Sequence, residues 1–186
     1  MNKLLPVLLL MLTANFAFAQ DDEYVKPGQV IEKGKAPAMK YRLVNTNGKV
    51  KTYIVALFRG DDILSGVTEF AEKEGIKFAQ FNAVGAISSG RLGSYDRDKQ
   101  MYHIFPVKQQ AEIVSFIGNI ATYNGKPVVH VHMSVSQSDG TMRGGHLFHG
   151  IVWPTLELMV TAYPEGVYKK KEDETGFVLT DPELMQ

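Results

Sequence analysis

Apolar and polar residues alternate through "MKYRLVNTNGKVKTYIVALF", Met39 to Phe58, on both sides of Asn47-Gly48, and this predicts two strands joined as a β-hairpin. The pattern changes in "RGDDILSGVTEFAEKEGI". Asp61 or Asp62 is an N-cap, Ile63, Val67, Phe70 and Ala71 form one apolar face, and Gly75 is a stop, which predicts an amphipathic helix of about three turns. From Lys77 the period returns to two. "KFAQFNAVGAI", "GRLGSYD", "MYHIFP", "AEIVSFIGNIATY", "PVVHVHMSVS", "MRGGHLFHGIVW" and "TLELMVTAY" read as strands, separated by turn chemistry such as Asp96-Arg97-Asp98, Asn124-Gly125 and Ser138-Asp139-Gly140. Many consecutive strands with short turns and one long helix predict an α/β fold of the α+β type: a mostly antiparallel β-sheet with the helix covering one face.

The flanks lack this periodicity. Asp21 to Ala38, with Pro27, Gly28, Gly34 and Pro37, reads as a linker or arm, and Glu165 to Gln186 as an irregular tail. The first residues, "MNKLLPVLLLMLTANFAFAQDD", place Lys3 before an apolar run from Leu4 to Leu12 and end in the small-x-small pattern Ala17-Phe18-Ala19. This predicts a signal peptide over residues 1–19, an arm over 20–38, a domain over 39–164 and a tail over 165–186, with the product exported to the periplasm or secreted. The apolar run falls short of the roughly 20 residues that span a bilayer.

Composition narrows the chemistry. The 186 residues contain no Cys, which excludes disulfide and thiol chemistry and a lipoprotein anchor. Without Lys3, the one charged residue among the first 19, the chain holds 19 basic and 20 acidic residues, a formal net charge of −1. A nucleic-acid binder generally shows an excess or cluster of Lys and Arg, so DNA is not an expected partner. The basic run Lys169-Lys170-Lys171 is followed at once by Glu172-Asp173-Glu174 and reads as a solvated segment.

Four of the five histidines lie in "HVHMSVSQSDGTMRGGHLFHG", His130 to Gly150. If Ser138-Asp139-Gly140 is a three-residue loop with Gly140 left-handed, Gln137 pairs with Thr141 and His132 falls opposite His146. Directly opposed residues share a face, and His130, two positions from His132, shares it too. Three imidazoles then converge in the manner of a divalent metal site with a position open for water or ligand. Zinc is the default for such a set, while nickel, iron and copper are compatible with the ligand type. His149 is an odd number of residues from His146 and is expected on the opposite face, unless Gly144-Gly145 forms a bulge that exchanges the two. Glu112, Glu157, Arg91 and Arg59 lie in or beside apolar strands, where a charge is either paired or faces a cleft; Glu112 and Glu157 are the first acid-base candidates.

"RGDDILSGVTEFAEKEGI", "GAISSGRLG", "AEIVSFIGNIA", "NGKPVVHVHMSVS" and "GGHLFHGIVWPTLEL" together resemble the plant and prokaryote conserved (PPC) domain, from about Tyr41 to Tyr163. The resemblance implies an antiparallel sheet with a helix, a homotrimer, and a match of His130, His132 and His146 to the family's His-x-His and Gly-Gly-His positions. The fold is also similar to that of acetolactate decarboxylase, which holds zinc with three histidines. Plant members follow AT-hooks and are nuclear DNA-binding proteins, whereas this sequence has no Arg-Gly-Arg-Pro core. The expectation is an exported homotrimer that binds a divalent metal, zinc first, and an unidentified small molecule, with a lyase- or decarboxylase-like role. The alternatives are a non-enzymatic binding or assembly module, and the DNA-binding role that the family label carries.

Overall fold

The computed structural model describes residues 23–29 and 33–185. The expected signal peptide lies outside the described residues. Among the described residues, no helix is long and apolar enough to cross a membrane.

The predicted opening hairpin is formed by β2 (Lys40–Asn47) and β3 (Val50–Phe58), after a short β1 (Glu23–Val25). The helix α1 (Ile63–Glu74) starts at Asp62, whose side chain accepts from the Ser65 N–H, and stops at Gly75 in the left-handed region at φ 63°. Ile63, Val67, Phe70 and Ala71 are all buried, so the face read from the spacing is the one that meets the core. Asp61 is buried as well and accepts hydrogen bonds from the backbone N–H groups of Ala38, at 3.0 Å, and Phe58, at 2.9 Å. The second aspartate of the pair therefore caps the helix, and the first ties the N-terminal arm to the end of β3.

The remaining strands are β4 (Ala79–Asp96), β5 (Met101–Val107), β6 (Ala111–Tyr123), β7 (Lys126–Ser136), β8 (Met142–Ala162), β9 (Tyr168–Lys171) and β10 (Val178–Asp181). Two of them fuse segments that the sequence suggested were separate: β4 runs through Ser88-Ser89, and β8 continues through Pro154. Their length lets each pair with three other strands. β4 bonds to β6 and β8, β6 to β7, and β7 to β8, so these four strands close a ring around the core, with β5 and β1 extending one flank and β3 and β2 the other. Where β4 bends, Gly85 has φ 152°, and a Cβ there would stand 2.3 Å from the Thr155 carbonyl oxygen. The strand pairs are antiparallel apart from one parallel bridge between Thr122 of β6 and Tyr168 of β9.

Both flanks are more ordered than their composition implies. Glu23–Val25 adds to the edge of β5, where Glu23 pairs with Arg91. The segment expected as an irregular tail contains the β9–β10 hairpin. Its alternation was hidden because an inward position is filled by Lys169 rather than by an apolar residue.

Candidate metal centre

The β7–β8 hairpin has the register derived from its turn. The Gln137 N–H donates to the Thr141 carbonyl at 2.9 Å, Gly140 has φ 82°, and His132 lies directly opposite His146. Pairing is unbroken from His132↔His146 to Ser136↔Met142, so Gly144-Gly145 makes no bulge against β7. The irregularity falls one step later on the other side of β8, where Phe148 is the extra residue against β4. Gly145 is required for a different reason: a Cβ there would stand 2.5 Å from the Gly93 carbonyl oxygen. Close approach of β8 to β4 thus fixes the strand that carries His146.

His130, His132 and His146 converge. One ring nitrogen from each lies within 4.8 Å of the others, and the ring centroids are 5.1 to 5.6 Å apart. Nitrogens at about 2.0–2.1 Å from one tetrahedral ion would stand roughly 3.4 Å apart, so small side-chain rotations suffice to close the trio on a metal. Burial lowers the pKa of His130, and adjacent His132 and Lys169 lower it further. His146 is pushed down to about 4, again first by burial and then by its two histidine neighbours and Lys169. Both rings are consequently neutral at physiological pH and offer lone pairs. Tyr102 stacks on His146 at 5.2 Å and Phe148 meets its edge at 4.8 Å, which fixes the ring. The His146 Nδ1 atom is buried with no hydrogen-bond partner among the described residues, an arrangement that a bound cation would satisfy.

His149 is not one of the converging ligands, but the extra residue Phe148 leaves it opposite Arg91 while His146 is opposite Gly93, same-parity positions of β4 rather than the opposite faces expected. It is buried with its Nε2 3.4 Å from the Asp62 carboxylate. His103 stacks on Tyr24 at 5.1 Å. Arg91 pairs with Glu23, and Arg59 lies over Trp153 at 3.7 Å. Glu112, opposite Ala86 and Ser136, and Glu157, opposite Ala56 and Val84, are exposed, and neither lines the cavities into which the histidines open. Within one chain the structure thus brings the three histidines together and leaves the two acid-base candidates apart from them. Sequence reasoning missed the groups that do surround the trio, Tyr102, Phe177 and Lys169 among them, because they come from segments remote in the chain.

The histidines open on two cavities. One, of about 980 Å³, lies between the trio, the outer face of α1 and the β9–β10 hairpin; the other, of about 810 Å³, lies across β4, β6 and β8 and includes Ile117 and Met159.

Fold and site together define a small, mostly antiparallel β domain with one helix and a candidate three-histidine metal centre. Residues 44–164 match the Plants and Prokaryotes Conserved (PCC) domain, and the chain belongs to that family. Among solved structures it is similar to a plant- and prokaryote-conserved protein from Pyrococcus horikoshii, at 29% identity and TM-score 0.66, covering 79% of this chain and 97% of that one. It is also similar to a protein from Bacteroides thetaiotaomicron provisionally labelled DNA-binding, at 26% identity and TM-score 0.72, covering 78% and 99%. A metal-containing protein from Archaeoglobus fulgidus matches at 27% identity and TM-score 0.64, covering 76% and 96%. The bifunctional protein GlmU of a Synechococcus strain is 26% identical over 134 residues, 70% of this chain, but the chain spans only 20% of that protein's length.

Proposed function

We propose that the chain is an exported protein in which His130, His132 and His146 hold one divalent metal ion, zinc by preference, and present it to a small ligand. The observation that carries this reading is the convergence of three ring nitrogens within 4.8 Å. The metal-containing relative from Archaeoglobus fulgidus supports it. Zinc suits three neutral imidazoles with a fourth position open. When bound, it supplies a Lewis acid able to polarise a carbonyl or carboxylate oxygen. The chain's own contribution is to keep His130 and His146 neutral by burial, to fix the His146 ring between Tyr102 and Phe148, and to provide a walled cavity for the ligand. Metal analysis of purified protein tests the site. The wild type is expected to retain about one ion per chain, and the His130→Ala, His132→Ala double variant none; equal and negligible metal in both overturns it.

Whether the ligand is transformed is a separate matter. A lyase- or decarboxylase-like role needs an acid-base group at the cavity, and Glu112 and Glu157 are not there within one chain, which favours binding without turnover. A screen of 2-hydroxy-keto acids with and without zinc decides between them: reproducible metal-dependent turnover refutes the binding module. The DNA role is disfavoured by the nearly balanced charge, and predicts salt-sensitive affinity that a low-ionic-strength binding assay would reveal.

We further propose that the chain assembles as a homotrimer. Arg42, Ile54, Met159, Asn82, Ile117 and His132 are paired in sequence across β2, β3, β8, β4, β6 and β7, and so share one face. Closing the ring covers the interior but leaves this outer row in water, with Ile117 65% exposed and nearby Val84 67% exposed. Self-association is the economical cover for such a strip. Because the row ends at His132, a neighbouring copy seated there would border the metal site.

A further inference from the structure

The β9–β10 hairpin follows residues 44–164, the segment that matches the family domain. It is docked on the barrel at both ends. The Thr122 N–H donates to the Val167 carbonyl at 2.8 Å, and Phe177 packs against Tyr95 at 4.8 Å and Tyr102 at 5.9 Å. Since Tyr102 stacks on His146, the hairpin forms one wall of the 980 Å³ cavity beside the three histidines.

Successive lysines on β9 point to opposite sides. Lys170 is exposed, whereas Lys169 is only 6% exposed and lines the cavity. Among the described residues its ammonium makes one polar contact, to the Thr180 Oγ1 at 3.4 Å, and none of their carboxylates lies within ion-pair distance. Three donors with one engaged leave two free. The acids that line the same cavity are on or beside α1: Asp62 is committed to the Ser65 N–H and His149, Glu69 pairs with Lys73, and Glu72 lies one turn further along. Burial lowers the pKa of Lys169, and its charge is felt at His130 and His146. A buried cation without a counter-charge is unfavourable, and a dication on three neutral imidazoles adds to the positive field rather than relieving it. An anion entering the cavity would answer both charges.

We infer that Lys169 is the receptor for the anionic end of a small carboxylate ligand, whose other end reaches the three-histidine centre. A single lysine point charge, with Thr180 beside it and aromatic walls around it, suits one carboxylate better than a phosphate, which is usually met by more donors or by a planar arginine fork. The ligand's second contact rests on the metal-site reading; the lysine subsite does not.

Calorimetric titration of the full chain, metal-free and zinc-loaded, with malonate as probe tests this, with inorganic phosphate and neutral malonamide as comparison arms. Malonate is expected to bind the wild type and phosphate and malonamide to bind more weakly. Lys169→Met should weaken malonate by at least about tenfold, the scale of one charge-assisted hydrogen bond, while Lys169→Arg retains part of the affinity. Lys170→Met should bind like wild type, and zinc content should be unchanged throughout. Should Lys169→Met fail to fold, acetylation of the wild type gives the same answer: malonate should slow modification of Lys169 and not of Lys170. Equal malonate affinity in wild type and Lys169→Met, no binding to folded wild type, absence of protection, or phosphate binding as tightly as malonate overturns the inference. Zinc binding without malonate binding overturns the subsite alone. Lys169-dependent malonate binding by a chain that takes no zinc supports the subsite and overturns the metal reading.

Discussion

At the residue scale, the three histidines reach one point because two sit on alternate positions of β7 and the third is fixed opposite by a loop whose Gly140 adopts a left-handed conformation. This was legible in the sequence, since hairpin register depends on local turn chemistry and a period of two. His149, close in the chain, has a different environment against Asp62. His146→Ala is therefore expected to abolish tight zinc binding with little loss of fold, whereas His149→Ala leaves zinc binding intact but costs about 1–3 kcal/mol of stability by leaving a buried carboxylate short of a partner. Zinc titration and chemical denaturation of both variants check the contrast. The depressed pKa of His146 gives a pH dependence for the metal-free chain. Its folded value of about 4 lies below the ordinary 6.5, so between those values the unfolded chain binds more protons. Stability should be full above about pH 6.5, decline as pH falls towards about 4, and gain nothing more from this group below that. His130 acts in the same direction. A denaturation midpoint that is the same at pH 7 and pH 5 would contradict this.

At the element scale, the helix and the β2–β3 and β7–β8 hairpins were readable because caps, turns and apolar period lie within a dozen residues of one another. The closure of the ring was not. Ala79 pairs with both Ile120 and Ala162, and nothing in the local pattern of those three apolar positions specifies one partner over another. Nor was the C-terminal hairpin readable, since Lys169-Lys170-Lys171 followed by three acids has the composition of a solvated segment, while the structure buries the first lysine. The close approach of β8 to β4 gives a test of how the ring supports the site. In Gly145→Ala the added Cβ would meet the Gly93 carbonyl, so the strands must separate or His146 must shift. A loss of about 1–3 kcal/mol, the usual range for overpacking, together with weakened zinc binding, is expected in thermal melts and metal titrations. Wild-type behaviour in both would show that β8 is not held by this contact.

At the scale of the whole molecule, the closed ring satisfies the interior but not the outer row that runs from Ile54 through Met159 to Ile117 and ends at His132. An apolar sheet face can be covered by self-closure or by association, and the structure uses the first while leaving surface for the second. Light scattering is expected to give a mass near three chains for the wild type and near one for Ile117→Asp, which puts a charge at the most exposed apolar position of the row, beside His132. A wild-type mass near one chain at micromolar concentration rejects the trimer.

The most direct test of the central claim is X-ray absorption at the zinc edge of the zinc-loaded protein. The account predicts a first shell containing about three imidazole nitrogens at about 2.0–2.1 Å, reduced to fewer nitrogens, or lost with the metal, in His146→Ala. A shell of oxygen ligands alone, or a spectrum unchanged by removing His146, would contradict it.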